Sequence, residues 1–352
     1  MDSARVIKIG RFLIGGGHRC FIIAEAGVNH NGDLRTAKRL IEAAKKAGAD
    51  AVKFQTFKTK KLVTRDAPKA RYQIRNMGST GSQFDMLQKL ELSKRDFKIL
   101  FNHCLKKKIL FLSSPFDEES ADSLETLRVP AFKIGSGEIT NFPLLRHVAK
   151  KGKPIILSTG MSDLREVKDA VQVIRSAGCR HLALLHCVSN YPADPKDTNL
   201  RAMETMRSKF HVPIGFSDHT LGITVCLAAA ALGACIIEKH FTLNRKTKGP
   251  DHAASLVPEE FAAMVREIRT TESSLGDGRK VPARSERNTA LVARRSLVAA
   301  HKIKTGQVIT RSSVDIKRPG TGLKPGMLKR LLGRTARTDI PAGTLLSFRA
   351  LR

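Results

Sequence analysis

The chain has 352 residues, 41% of them apolar and 27% charged. That length allows two domains at roughly 150 residues each, and the composition excludes a disordered chain. The 62 lysines and arginines exceed the 32 aspartates and glutamates, leaving a net charge of +30. No apolar run reaches the roughly 18 residues of a membrane span. The longest, Val225–Ile237, has thirteen and is rich in alanine, as a buried helix entering a strand would be. The N-terminus carries no apolar signal core. Six cysteines (Cys20, Cys104, Cys179, Cys187, Cys226 and Cys235) are scattered without a CxxC pair. The expectation is a cytoplasmic protein with reduced thiols and neither a disulfide framework nor a structural zinc.

In chain order, Val6–Ile9 and Arg11–Ile14 precede Gly15-Gly16-Gly17 and read as a hairpin at a barrel floor. No helix start follows the glycines, as a phosphate loop would require. Strands are expected at Phe21–Ala24, Ala51–Phe54, Ile109–Ser113, Ala131–Ile134, Pro154–Ser158, Leu182–Cys187, Pro213–Phe216 and Cys235–Lys239. Between them lie helical patterns such as Leu34–Ala47, whose Leu34, Ala37, Leu40, Ile41 and Ala44 share a face. A second runs from Asp163 to Ala177 with Val167, Ala170, Val171 and Ile174 in one stripe; Gly48 and Gly178 stand where these helices should stop. Eight strands each followed by a helix fit an α/β chain folded as a (β/α)8 TIM barrel, with a doubly wound open sheet as the competing arrangement. The expected barrel domain covers 1–278, ending in the Gly276-Asp277-Gly278 turn, followed by a linker 279–289 that contains Pro282 and a small β-rich domain 290–352. That last segment has fourteen basic residues against two acidic ones, +12 over 63 residues. Within it, AAHKIKTGQVIT and ARTDIPAGTLLS echo each other, which implies internal pseudo-symmetry.

Barrel chemistry collects at the C-terminal ends of the strands. Every expected strand here exits into a polar residue: Glu25; Lys53 and Gln55; Ser114; Lys133 with Ser136 and Glu138; Ser158; His186 with Ser189 and Tyr191; Ser217 and His219; Glu238 and His240. Lys53 and Lys133, with Ser114, Ser136, Ser158 and Ser217, supply two cations and a ring of hydroxyls. Such a set suits a small anion bearing phosphate and carboxylate groups. The bland reading pairs the same lysines with Glu25, Glu138 or Glu238 in a structural network. His219 and His240, on neighbouring strands, form a candidate divalent-metal pair with open positions for substrate. Glu25, Glu138 and Asp251 are candidates for proton handling or for neutralising the lysines. His186 reads equally well as a packed barrel histidine, and Asn29 and His30 as a turn.

These segments, quoted as FIIAEAGVNHNGDL, ADAVKFQTF, FLSSPFD, PAFKIGSGEITNFPLL, KPIILSTGMS, LLHCVSNYPA, IGFSDHTLG, IIEKHFTL and KGPDHAASL, resemble the sialic acid synthase family over nearly the whole chain. The basic C-terminal segment, with RRSLVAAHKIKTGQVIT and IKRPGTGL, resembles that family's antifreeze-like (SAF) domain. The resemblance implies a phosphoenolpyruvate (PEP)-dependent condensation with an N-acylated hexose such as N-acetylmannosamine, giving phosphate and a nine-carbon 2-keto acid such as N-acetylneuraminate. It implies that Lys53, Ser114, Lys133, Ser136, Ser158, Ser189 and Ser217 hold PEP, and that His219 and His240 bind Mn²⁺ or Mg²⁺. Gln55, Tyr191 and Asp251 would contact the sugar together with Glu25 and Glu138, one or other of which would handle the proton. It further implies a homodimer in which the SAF domain of one subunit covers the partner's barrel and brings Arg318 to the sugar. Val188, Ser189 and Ser114 depart from the pattern of some members, where Thr, Asn and Thr stand. Legionaminate, pseudaminate and spore-coat sugar synthases of the same family are alternative assignments, the discriminating side chains being expected in the Thr64–Ser82 loop.

Two readings of other classes compete. A Schiff-base aldolase would use Lys53 or Lys133, but has no need of the histidine pair. A nucleic-acid-binding protein would use the +30 charge, yet the chain has no Trp, only Tyr72 and Tyr191, and neither a zinc finger nor an RNP-like run. Its basic residues, such as Lys38, Arg39, Lys45, Lys46 and Lys106–Lys108, are spread along helices as on a solvated face.

Overall fold

The computed structural model describes residues 6–352; residues 1–5, the start of the expected first domain, lie outside them. The chain divides after Gly276 into two compact units. No helix of the described residues is long and apolar enough to cross a membrane.

In the first unit, β1 (Ile7–Ile9) and β2 (Phe12–Ile14) pair antiparallel as a hairpin. Eight strands follow: β3 (Phe21–Gly27), β4 (Ala51–Thr56), β5 (Leu110–Pro115), β6 (Phe132–Ile134), β7 (Ile155–Ser158), β8 (Leu182–Cys187), β9 (Ile214–Asp218) and β10 (Ile236–His240). They form one parallel sheet in the order β5-β4-β3-β10-β9-β8-β7-β6. β6 returns alongside β5, so the sheet curls into a barrel and the open doubly wound arrangement is set aside. Each strand leads to a helix on the outside; the helices run Leu34–Lys46, Lys94–Lys107, Glu118–Thr126, Phe142–Ala149, Leu164–Ser176, Ala202–Phe210, Thr224–Ala231 and Pro258–Leu275.

Local chemistry sets these boundaries. Asp33 caps the helix 34–46 by accepting from the Arg35 and Thr36 amides, and Gly48 leaves it at φ 89°. Asp163 and Glu166 form a reciprocal capping box at the start of 164–176, which buries Val167, Ala170, Val171 and Ile174. Alternation along the strands then sorts the side chains. Ile22, Ala24, Val52, Phe54, Phe132, Ile155, Leu184 and Phe216 face the helices, in the main apolar cluster. Phe21, Ile23, Ala51, Leu112, Ala131, Ile156, Ala183, Leu185 and Ile236 fill the barrel, and Ile7, Ile9 and Ile14 of the hairpin join them from below. The glycine-rich turn is therefore part of the floor.

The connection after β4 is the long one. It carries short helices at Thr59–Leu62, Arg71–Met77 and Gln83–Gln88, and its Phe57, Met86 and Leu90 pack on Val28 in a separate small cluster. Glu91 draws its two ends together, accepting from Lys58 Nζ (2.8 Å), the Thr59 amide (2.9 Å) and Thr59 Oγ1 (3.0 Å).

In the second unit, β11 (Ser296–Ala299) pairs antiparallel with β12 (Val314–Lys317). The two echoing segments meet around a pseudo-twofold. Ile303 and Ile340, equivalent in the repeat, exchange backbone hydrogen bonds (2.9 and 2.8 Å). Gly306 donates to Ala336 while its counterpart Gly343 donates to Ala299. Both glycines sit at positive φ, 82° and 78°, where a Cβ would be strained. The unit's own core holds Leu297, Ile303, Ile309, Leu331, Ile340 and Leu346.

Candidate active site

The period of two that buries Ile23, Ala51, Ile156 and Ile236 low in the barrel carries Glu25, Lys53, Ser158 and Glu238 inward one level higher. There the charged groups meet. Lys53 Nζ lies 2.8 Å from Glu25 and 3.7 Å from Glu238, and 3.4 Å from Ser114 Oγ. Lys133 Nζ donates to Ser158 Oγ (2.7 Å) and stands 3.4 Å from Glu238. Ser217 Oγ donates to Glu238 (3.0 Å), and Gln55 Nε2 donates to Glu25 (3.3 Å). The four charged side chains are at most 5% exposed.

Burial and opposite charge compete over their protonation, and burial wins at Glu25 and Lys133. It pushes the Glu25 carboxyl up to about 7 despite Lys53 beside it. It pulls the Lys133 ammonium down, against the attraction of Glu238. Burial also works against Lys53 and Glu238, but in each the opposite charges win, so Lys53 rises and Glu238 falls. Two carboxylates and two ammoniums thus neutralise one another, with Glu25 the member closest to taking up a proton.

Beside this cluster, Ser136, Cys187 and Ser189 converge on Gly160: a Cβ there would collide with all three side chains. Ser136 Oγ accepts from the Gly160 amide (3.0 Å) and lies 3.1 Å from Cys187 Sγ. A third group stands over the exits of β9 and β10. The His219 and His240 rings are 5.4 Å apart, and the Tyr191 ring packs against both, at 4.2 and 5.4 Å. Tyr72, from the long connection, stacks on Tyr191 at 4.9 Å. A cavity of about 100 Å³ opens here between Gln55, Tyr72, Tyr191, His240 and Asp251. Burial holds the Asp251 carboxyl up, at about 6. Larger hollows, of about 560 and 770 Å³, lie between the helices 94–107 and 118–126 and around Gly15–Cys20 at the floor. Neither contains the convergent charges of the barrel mouth.

The two histidines fit a divalent cation. His219 donates its Nδ1–H to the Val188 carbonyl (2.6 Å), which leaves Nε2 with its lone pair. His240 has a buried Nδ1 without a hydrogen-bond partner. Burial keeps both rings neutral, His219 at about 4 and His240 well below its ordinary value. Among the described residues no group of three or more His, Cys, Asp or Glu forms a cage. A cation here would therefore need oxygen ligands from substrate or water, as open catalytic sites do.

One candidate of the first unit stands apart from this assembly. Glu138, on the turn after β6, accepts from Asn141 Nδ2 (2.7 Å) and has no ion pair with either lysine. Arg318 belongs to the second unit, where its Nε donates to the Ala293 carbonyl (3.1 Å). His186 turns outward to the Thr198 carbonyl (2.7 Å), and Asn29 stitches its turn to Phe241 O (3.0 Å) and Ser255 Oγ (2.9 Å).

Three residues of the assembly have no assigned role in the sequence pattern. Glu238 was weighed only as a counter-ion, yet it touches Lys53, Lys133 and Ser217. Its spacing of two from His240 was the available signal. Cys187 shares the inward period of Leu185. Tyr72 had no local signal, since only the path of the long connection brings it to Tyr191.

Comparison with known proteins places the chain in a family. The model of the NeuB family matches residues 40–280 and that of the SAF domain residues 294–352. An N,N'-diacetyllegionaminic acid synthase of Legionella pneumophila is 47% identical over 93% of this chain and 93% of its own. A protein of the same name from Campylobacter jejuni is 47% identical over 90% of this chain and 96% of its own. The crystal structure of an N-acetylneuraminic acid synthetase from Leptospira borgpetersenii superposes with a TM-score of 0.72 at 37% identity, covering 81% of this chain and 95% of that one. With the barrel, its strand-end residues and the C-terminal repeat all in the expected order, the chain belongs to the NeuB family of sialic-acid-type synthases and ends in a SAF domain.

Proposed function

We propose that this protein condenses PEP with the open-chain aldehyde of an N-acylated hexose, releasing phosphate and a nine-carbon 2-keto acid. The observation that supports this best is the self-neutralised Glu25–Lys53–Glu238–Lys133 cluster ringed by serine hydroxyls. A ligand bearing phosphate and carboxylate can take the lysines from their carboxylates, and the raised Glu25 can absorb the displaced charge as a proton.

In this reading Lys53, Lys133, Ser114, Ser158 and Ser217 hold PEP, with Ser136 and Ser189 at the Gly160 cradle. Gln55, Tyr191 and Asp251 orient the sugar. A divalent cation, Mn²⁺ or Mg²⁺, held by His219 and His240 would polarise the aldehyde oxygen as a Lewis acid. The PEP methylene carbon forms the new bond to the aldehyde carbon, and Glu25 delivers the proton that the aldehyde oxygen gains. Water adds at C2 of PEP, one of its protons returning to Glu25, and phosphate departs with the bridging oxygen and the other proton as that C–O bond breaks. Glu138 is the second candidate for proton handling.

For the acceptor, we place a 2,4-diacetamido hexose ahead of the N-acetylmannosamine expected from sequence; two relatives at 47% identity named as diacetyllegionaminic acid synthases support this order. A panel of N-acetylmannosamine, its 6-phosphate and the 2,4-diacetamido hexoses, read as kcat/KM for phosphate release, decides. At least tenfold preference for a 2,4-diacetamido hexose is expected, and the same preference for N-acetylmannosamine would overturn the order.

The partner contribution is proposed as well: a homodimer in which Arg318 reaches the partner's sugar. In support, Arg318 is exposed and makes no ion pair among the described residues. Mixing inactive R318A chains with inactive K133M chains should then restore activity, and no restoration on subunit exchange would refute it. A cytoplasmic setting, where PEP is made, suits the reaction.

A further inference from the structure

Behind the two histidines lies an ion pair that the reaction does not use. Asp218 and Lys239 are the next residues back along β9 and β10, and the pleat turns their side chains away from the barrel. Both are 0% exposed, with Lys239 Nζ 2.6 Å from Asp218 Oδ2. The carboxylate is fully satisfied: it accepts from the Thr220 amide (2.9 Å), Thr220 Oγ1 (3.2 Å) and Cys226 Sγ (3.0 Å) of the helix 224–231. Lys239 also donates to the Thr220 carbonyl. All this sits in a layer otherwise filled by Phe216, Ile237, Phe241, Cys226 and Ala229.

A buried ion pair is a poor way to stabilise such a layer, because well-packed apolar side chains do as well or better. Its position offers a different role. The β9–β10 ladder runs from Ile237↔Phe216 to Lys239↔Asp218 and ends there. One residue on, the strands part: the His219 carbonyl accepts from Ala193 (2.9 Å) and the His240 carbonyl from Leu256 (2.8 Å). The histidines therefore leave the last ladder pair with no backbone bond to each other, and the Asp218–Lys239 contact is the side-chain tie at that point. A slip of one residue would turn an imidazole into the helical layer.

We infer that Asp218 and Lys239 are positioning residues that hold His219 and His240 at the spacing of a shared divalent cation. This rests on the reading of those histidines as metal ligands. The test is Mn²⁺ binding to the substrate-free protein, by calorimetry and electron paramagnetic resonance, in wild type, H219A, H240A and the double variant D218N/K239M. Removing both charges avoids stranding one of them in the core. The double variant should keep its far-ultraviolet circular dichroism and unfold near the wild-type temperature. Its Mn²⁺ dissociation constant should rise by about 10- to 100-fold, and the visible spectrum of bound Co²⁺ should change. Affinity within twofold of wild type and an unchanged Co²⁺ spectrum would overturn the inference. Should the double variant fail to fold, D218N/K239Q, which removes both charges but keeps a polar group at each position, carries the same expectation and the same refutation. Wild type binding Mn²⁺ no better than H219A and H240A would contradict the metal reading, and the positioning role with it.

Discussion

The lower and upper halves of the barrel interior are built by the same strands at the same alternating positions, and they do opposite things. Below, Phe21, Ile23, Ala51, Ile156 and Ile236 close on Ile7, Ile9 and Ile14 of the hairpin, an apolar plug whose burial stabilises the fold. Above, Glu25, Lys53, Lys133 and Glu238 are as deeply buried but ionisable, and opposite charges offset the cost of desolvation, outweighing it at Lys53 and Glu238. A strand's first inward residue thus serves the core, and its last lines the candidate site. β10 shows it in five residues, with Ile236, Glu238 and His240 all inward.

That division can be broken or sharpened by substitutions on either side of it. The largest effect is expected for Lys133→Met, which removes a cation and the donor to Ser158. Steady-state kinetics should show kcat/KM lower by about 10³-fold, and a value within tenfold of wild type would end the anion-cradle reading. Gly160→Ala should come next. The added methyl has no room among Ser136, Cys187 and Ser189, and the displaced hydroxyls should cost about 10²-fold in kcat/KM for PEP. Ile9→Ala, at the floor, should do the reverse: a loss of about 2–5 kcal/mol in denaturant unfolding, with kcat/KM of the folded protein unchanged.

The smallest effect is a pH dependence of the ligand-free protein. Asp251 titrates at about 6 when folded and near its ordinary 3.8 when unfolded. The folded state therefore holds the proton longer, so this contribution is complete below the unfolded value and is lost as pH rises through 6. Asp251→Asn should then unfold at higher denaturant than wild type at pH 7.5, by up to about 3 kcal/mol, with the gain vanishing towards pH 4. A gain that persists at pH 4 would assign it to packing instead of charge.

How much of this was legible in the sequence follows from the same physics. All eight barrel strands are found where apolar β-rich runs stood, but β3, β4, β5, β9 and β10 extend past the expected ends to Gly27, Thr56, Pro115, Asp218 and His240. The polar exits break the apolar run while the backbone ladder continues through them. The caps at Asp33 and Asp163 and the stops at Gly48 and Gly178 were local signals and readable as such. The echo in the C-terminal unit was visible too, though the Ile303–Ile340 exchange that expresses it was not. The role of Glu238 and the placing of Tyr72 depend on which strands and loops become neighbours, which no single segment encodes. The lysines show why such contacts matter: the ion-pair network weighed as the bland reading is present, and it is the feature that makes the proposed anion site work.

The central claim is that the charged upper level of the barrel joins PEP to a sugar aldehyde by breaking the PEP C–O bond. The most direct test uses PEP labelled with ¹⁸O at the bridging oxygen, incubated with the metal-restored protein and the acceptor panel, with mass spectrometry of both products. The account predicts phosphate that keeps the label, formed only with an acceptor and in a one-to-one ratio with the 2-keto acid. Unlabelled phosphate, or phosphate released equally without any sugar, would contradict it.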